Sequence, residues 1–186
     1  HTRYISVTGV QTCALPIFKN WQNPCGAPDV CKALGNSIKI GLIATLIATI
    51  LGTLIAFAIG RNKFKGRSTT NLVIFLPMAT PEVVLGASLL AMFLSIKFNP
   101  GFWPIVIAHV MFCISFVVVT VKARIASLDP RLEQAAMDLY ANEFETFRRV
   151  TLPLVMPGIA GAALLAFSLS FDDFIITNFV SGTVTT

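Results

Sequence analysis

The chain has 186 residues, of which 55% are hydrophobic and 12% are charged. Ordinary soluble domains carry roughly 25% charged residues, so this composition excludes a typical water-soluble protein. The net charge of +5 does not indicate nucleic-acid binding, because the basic residues lie beside the apolar segments and form no single stripe.

Four apolar stretches are each long enough to cross the hydrocarbon core of a bilayer, which takes about 20 helical residues. They cover residues 40–59, 72–96, 102–121 and 154–180. Four such segments in one short chain cannot share a soluble core. The sequence therefore predicts an all-α, polytopic helix bundle in a lipid bilayer, formed by residues 37–186.

Basic residues mark one side of these spans. They fill the connection 61–69 and the connection 122–153: Arg61, Lys63, Lys65 and Arg67, then Lys122, Arg124, Arg131, Arg148 and Arg149. The positive-inside rule places both connections in the cytoplasm. The turn at 99–101 and the residues before Ile40 then face outward, so we expect residues 18–36 to be a periplasmic segment.

The two ends of the chain differ from the rest. Residues 7–17 resemble a translated sequencing adaptor, and we interpret residues 1–17 as a non-native artefact. Because the chain stops abruptly after its last span, we expect a domain truncated at both ends. Cys25 and Cys31 lie in the outward segment, where a disulfide is permitted, and the sequence leaves their pairing open. Neither metal nor other cofactor is expected, since no metal-spaced cluster occurs.

Small residues predict where the spans pack. They recur at every fourth position of the first span: Ala44, Ala48, Gly52, Ala56 and Gly60. Such a stripe lets another helix approach closely, and Thr45, Thr49 and Thr53 beside it can bond back to the backbone or across a helix interface. In the last span, Gly161, Ala162 and Ala163 predict a second contact face.

Prolines and acids interrupt two spans. Because proline removes a backbone donor, Pro77 and Pro81 predict a kink or break in the second span, directly before Glu82. Asp172 and Asp173 lie late in the last span. Carboxylates in a span cost about 2.5–3.5 kcal/mol on insertion scales and usually face a bundle interior or an aqueous path.

Each of these acids has two interpretations. It either lines the path of a transported cation or serves a local role, such as a helix cap, a partner for Ser170 or a partner for backbone freed by Pro81. His109, in the middle of the third span, is interpreted as a hydrogen-bonded residue between helices rather than a proton relay.

Residues 123–153, between the third and fourth spans, form a loop of different character. Asp129 followed by Pro130 is typical of a helix start, and apolar spacing predicts a helix over 131–141. Asn142 with Glu145 predicts a capping box that opens a second helix, which Pro153 is expected to end. This pattern alone fits either a docking element for a cytoplasmic partner or a loop on the lipid surface.

The segments Glu133-Gln134-Ala135-Ala136, Asp138-Leu139 and Val150-Thr151-Leu152-Pro153 resemble the Glu-Ala-Ala loop of binding-protein-dependent ABC permeases. Tyr140 stands where that family has glycine. Because glycine tolerates a left-handed backbone, tyrosine here implies either a helical or a strained junction. The resemblance implies a helix-turn-helix that couples to a separate ATPase through six residues: Glu133, Ala135, Ala136, Asp138, Leu139 and Tyr140.

Within this family, residues 18–186 are most similar to the spermidine/putrescine permeases, on the stretches 76–86 and 166–174. The resemblance implies a bacterial inner-membrane protein with six helices, of which four are present here. It implies as partners a dimeric ATPase, a second permease subunit and a periplasmic substrate-binding protein. Glu82, Asp172 and Asp173 would then line the path of a polyamine. The alternative is another small solute, such as an iron chelate, a thiamine-like cation or an amino acid.

The sequence predicts a transport subunit and not an enzyme. It has no Gly-x-x-x-x-Gly-Lys-Ser/Thr phosphate loop, so ATP hydrolysis is expected from a partner. A passive channel would have no use for the 123–153 loop. An intramembrane enzyme would need a nucleophile–base pair or a metal cluster, and neither pattern occurs.

Overall fold

The computed structural model describes residues 28–61 and 65–182. These residues form helices and no strand, which confirms the all-α class. The helices are α1 (Pro28–Arg61), α2 (Arg67–Ala79), α3 (Glu82–Ser95), α4 (Phe102–Ala126), α5 (Pro130–Asp138), α6 (Glu143–Thr146), a π-helical turn (Phe147–Thr151), α7 (Leu152–Asp172) and α8 (Ile175–Val180). The proposed artefact at 1–17 lies outside the described residues, as does most of the 18–36 segment.

The chain forms two units, residues 1–37 with 185–186 and residues 38–184. In the first unit, the described residues 28–37 are helical, and Cys31 is disulfide-bonded. Cys25, its candidate partner from the sequence, lies outside the described residues. The rest of α1, from Ile38 onward, belongs to the second unit.

Three helices are long and apolar enough to cross a membrane: Cys31–Gly60, Phe102–Ala126 and Glu143–Asp172. The α2 and α3 helices form a bent pair that makes a fourth crossing if it is one span. The last predicted span, 154–180, is two helices, because α7 ends at Asp172 and α8 begins at Ile175.

The break between α2 and α3 lies where Pro81 predicts it. The chain bends by 104° between the two helices, and Thr80 has an extended backbone with φ −84° and ψ 133°. The ring of a proline disfavours helical backbone in the residue before it, which explains the break. The Thr80 hydroxyl donates to the Leu76 carbonyl at 2.8 Å and closes α2. Glu82 then begins α3, where the helix dipole favours a carboxylate.

The α4 helix is buried along most of its length and forms the centre of the second unit. The α7 helix packs on it, and the Cys113 thiol donates to the Ala166 carbonyl at 3.5 Å. Ala162 and Ala166 of α7 are fully buried, whereas Gly161 is exposed. The contact face of α7 therefore follows helical spacing through 162 and 166, and the prediction that includes Gly161 is wrong.

The small-residue face of α1 is confirmed. Ala44, Ala48 and Ala56 are fully buried, and a Cβ built on Gly52 would lie 2.7 Å from Cγ1 of Val117 in α4. The predicted threonine bonds are absent. Three hydroxyls beside the face are buried with no hydrogen-bond partner in the part of the chain that the structure describes: Thr45, Thr49 and Thr53.

Replacing Gly52 with valine should destabilise the protein by about 1–3 kcal/mol, the usual cost of overpacking, because Val117 is β-branched and stiff. Gly161→Val is the matched control, since a Cβ there meets nothing within 4 Å. Thermal melting of the full-length protein in detergent, followed by size exclusion, measures the difference. Equal melting temperatures for the two variants would contradict the close α1–α4 contact.

Candidate coupling loop and acidic cavity

Both helix starts predicted in the loop are present. The Asp129 carboxylate accepts a hydrogen bond from the Arg131 backbone N–H at 2.9 Å, and Pro130 occupies the first turn of α5. At α6, Asn142 Oδ1 accepts from the Glu145 N–H at 2.8 Å, and Glu145 Oε2 accepts from the Asn142 N–H at 3.4 Å. The capping box is thus confirmed.

The turn between α5 and α6 holds Tyr140 in the left-handed conformation, with φ 63°. Its N–H donates to the Met137 carbonyl at 3.0 Å, and the Ala141 N–H donates to the Ala136 carbonyl at 3.2 Å. This is the Schellman pattern, in which glycine usually occupies the left-handed position. Of the two alternatives from the sequence, the strained junction is therefore the one observed.

The loop tip, formed by Leu139, Tyr140 and Phe144, presents apolar side chains outward. Their exposed fractions are 82%, 98% and 70%. Among the other residues predicted to contact an ATPase, Ala135 and Asp138 are exposed, whereas Glu133 and Ala136 are partly buried. The most exposed large apolar side chains of the loop therefore lie at or next to the turn between α5 and α6.

The side chain of Glu133 is directed towards the last span. Its Oε1 accepts a hydrogen bond from the Thr151 hydroxyl at 2.6 Å, a distance typical of a hydroxyl bound to a carboxylate. Thr151 belongs to the π-turn and is 2% exposed. Glu133 thus links α5 to the π-turn, a contact that no local sequence pattern predicts.

Pro153 does not end the second helix of the loop, so that prediction is wrong. The helix continues from Glu143 to Asp172. In a regular α-helix the proline ring clashes with the carbonyl of the fourth residue before it. Here Phe147–Thr151 widens into a π-turn, in which the Leu152 N–H donates to the Phe147 carbonyl. The wider turn accommodates Pro153, so the loop and the last span share one helix.

Two other helices contact the base of the loop. Nε and Nη2 of Arg124 in α4 both donate to the Leu154 carbonyl, at 3.1 and 3.0 Å. The aliphatic part of Arg124 lies over Gly158, where a Cβ would be only 2.5 Å away. The Phe147 ring meets Phe57 of α1 edge-on, with centroids 5.1 Å apart. The start of α7 is therefore held by α4 and α1.

The three predicted acids come together at the C-terminal end of α7. Glu82, Asp172 and Asp173 line one cavity of about 130 Å³, with Phe112, Ser168 and Leu169 forming the rest of its wall. The break between α2 and α3 is what brings Glu82 to the start of a helix beside this cavity.

The two aspartates have different environments, because α7 ends between them. Asp173 Oδ1 caps α8 by accepting from the Ile176 N–H at 2.9 Å. Its Oδ2 is buried and has no hydrogen-bond partner among the residues described. Asp172 and Glu82 are exposed at the cavity. Asp173 therefore has the local capping role and also lines the cavity.

His109 bridges α7 and α8 from α4. Its Nδ1 lies 2.7 Å from Ser170 Oγ, and its Nε2 lies 2.8 Å from Thr177 Oγ1. The Thr177 hydroxyl donates its single proton to the Asp173 carbonyl at 2.8 Å, so Nε2 donates to Thr177 and Nδ1 accepts from Ser170. The interpretation as a bonded interhelical residue is confirmed, while Ser170 pairs with His109 and not with an aspartate.

Apolar helices long enough to span a bilayer, a helical loop with an exposed apolar tip and an acidic cavity together describe a polytopic α-helical membrane protein. Residues 37–185 match the binding-protein-dependent transport system inner membrane component family, and the chain belongs to that family.

The chain is similar in sequence to named permease proteins over most of its length. It is 39% identical over 151 residues to the spermidine/putrescine transport system permease protein PotC of Haemophilus influenzae, a match that covers 81% of this chain and 59% of that protein. It is 38% identical to PotC of Escherichia coli, with 81% and 57% covered. It is 40% identical over 159 residues to the putrescine transport system permease protein PotI of Escherichia coli, with 81% and 56% covered. The chain thus spans a little over half the length of these relatives.

Replacing Tyr140 with glycine should stabilise the loop by about 1 kcal/mol, because a left-handed L-residue costs about 1–2 kcal/mol. Hydrogen exchange of the Ala141 amide in the full-length protein should slow by about fivefold. Tyr140→Ala is the matched control, since it removes the ring but keeps the Cβ that causes the strain. Exchange in the glycine variant as fast as in the alanine variant would contradict a strained turn.

Proposed function

We propose that the full-length protein is the permease subunit of an ATP-driven importer of polyamines in the inner membrane of a bacterium. The observation that carries this proposal is the cavity at which Glu82, Asp172 and Asp173 meet. The names of the relatives support it, since they are permeases for spermidine and putrescine.

The chemistry of the cavity favours a polycation. Three carboxylates line it, and its described lining contains no basic side chain. A polyamine carries ammonium groups separated by methylene chains, so the acids would pair with the charges while Phe112 and Leu169 contact the methylenes. A phosphate or sulfate would be repelled by the same acids.

The loop tip is the proposed contact with a separate ATPase. Ala135, Asp138, Leu139 and Tyr140 would form the contact, with Glu133 and Ala136 at its base. Support comes from the exposure of the tip and from the capped helices that carry it, because a surface on rigid elements can transmit force. A dimeric ATPase, a second permease subunit and a periplasmic substrate-binding protein would complete the assembly.

Replacing Leu139 with arginine should abolish association with the ATPase, because the exposed apolar tip would then carry a charge. The fold should be unaffected, since this side chain is 82% exposed. Ser68→Arg, also at an exposed position on the predicted cytoplasmic side, is the matched control. Co-purification of the ATPase with each full-length variant is the measurement, and full retention by Leu139→Arg would remove the tip from the interface.

Neutralising the acids as Asp172→Asn with Asp173→Asn should lower polyamine uptake by at least about tenfold and raise its KM. The loss of two charge pairs with the ammonium groups of the polyamine should weaken its binding strongly. Asparagine is itself a good helix cap, so α8 should still form. Asp129→Asn, which changes another capping acid outside the cavity, is the matched control.

Uptake of labelled spermidine and putrescine into proteoliposomes that hold the complete transporter measures the effect. An unlabelled thiamine-like cation, an iron chelate and an amino acid serve as competitors. Wild-type KM in the double variant would remove the aspartates from the path. Competition by one of the other solutes, with none by polyamines, would assign the permease to that solute.

A further inference from the structure

We propose that Thr151 is a positioning residue for energy coupling. Its hydrogen bond to Glu133 joins α5 to the helix that runs to the acidic cavity, so α5 and this helix move together when the loop is displaced. The inference rests on the proposed function, in which the loop contacts an ATPase.

The hydrogen bond between Thr151 and Glu133 has the geometry and burial of a strong contact. It is 2.6 Å long and joins residues 18 positions apart, and Thr151 is almost completely buried. A charged acceptor makes such a bond stronger than one between neutral groups. Both residues also line a cavity of about 280 Å³, together with Leu132 and Val150. Apolar packing between α5 and the π-turn is therefore incomplete at the position of this hydrogen bond.

The position of Thr151 along the helix explains how this hydrogen bond connects α5 to the acidic cavity. Thr151 is the last residue of the π-turn, and α7 follows directly from Leu152 to Asp172. At 1.5 Å per residue, α7 is about 30 Å long. The N-terminal end of α7 is thus connected to α5 through Thr151 and Glu133. Its C-terminal end carries Asp172 at the cavity. A π-turn is also the place where a long helix bends most readily, and the bond to α5 braces that turn.

Thr146 provides a matched control on the same helix. It is also 2% exposed, but its hydroxyl has no hydrogen-bond partner among the described residues. Thr146→Val removes a buried hydroxyl without removing a bond, whereas Thr151→Val removes the bond to Glu133. Thr151→Ser keeps a hydroxyl that can make it.

The experiment uses the full-length permease assembled with its ATPase and second permease subunit in proteoliposomes. ATPase association, ATP hydrolysis and polyamine uptake are measured for the three variants. Thr151→Val should retain the ATPase and hydrolyse ATP, while uptake per ATP falls by about tenfold, the scale of one charge-assisted hydrogen bond. Thr151→Ser and Thr146→Val should keep the wild-type ratio.

A wild-type ratio in Thr151→Val overturns the inference. An equal loss in Thr146→Val also overturns it, because any buried hydroxyl would then have the same effect. Loss of the ATPase from Thr151→Val assigns Thr151 to docking and overturns transmission. A wild-type assembly that neither holds an ATPase nor takes up polyamines refutes the proposed function instead.

A second measurement needs no ATPase. A spin label on the exposed Gln134 in α5 should become more mobile in the Thr151→Val permease and should be unchanged in Thr146→Val. Unchanged mobility in Thr151→Val overturns the proposed connection whatever partner the loop contacts.

Discussion

The structure depends on the unbroken helix from Glu143 to Asp172. A proline near its start would normally end or kink it, and the π-turn before Pro153 is what allows it to continue. Without that turn, the loop would be hinged to the last span and could move independently of it. With it, Phe144 of the loop tip and Asp172 at the cavity lie near the two ends of one helix.

This helix is held at both ends by α4. Near the start of α7, Arg124 donates twice to the Leu154 carbonyl. Near its end, His109 bonds Ser170 and Thr177 and so fixes the break before α8. In a bilayer, water cannot satisfy polar groups that lose their partners. These hydrogen bonds therefore constrain the relative positions of α4, α7 and α8 more strictly than apolar packing alone would. They also hold Asp173 at the cavity.

The sequence predicted the features that local signals determine. Pro81 disfavours helical backbone at Thr80 whatever surrounds it, and Asp129 and Asn142 cap helices through neighbouring amides. Hydropathy located three of the four predicted spans for a similar reason, since membrane crossing requires long apolar helices. The second predicted span is the bent pair α2 and α3. Tyr140 was predictable only in part. The sequence shows a tyrosine where the family has glycine, but only the backbone and hydrogen bonds of the turn show that the left-handed conformation is retained.

Features that depend on tertiary packing could not be predicted in this way. The partners of His109 lie 61 and 68 residues away, and no sequence pattern pairs such positions. The bond from Thr151 to Glu133 depends on how α5 folds back on the π-turn. Continuation of the helix through Pro153 was missed because the proline rule assumes regular α-helical geometry. Whether the α1 threonines bond the backbone of their own helix is not decided by the sequence, and in the described structure their hydroxyls have no partner.

The most direct test of the account is whether this helix moves as a rigid unit during transport. Spin labels replacing Glu143 in α6 and Leu164 in α7, which are both exposed, would be about 30 Å apart along a continuous helix. Their separation is measured in the complete transporter, first without nucleotide and then with ATP trapped. The account predicts the same separation in both states, while the distance from the label at 143 to a label on Phe75 of α2 changes. A shorter separation between the labels at 143 and 164 in the trapped state would show bending at the π-turn and would contradict the account.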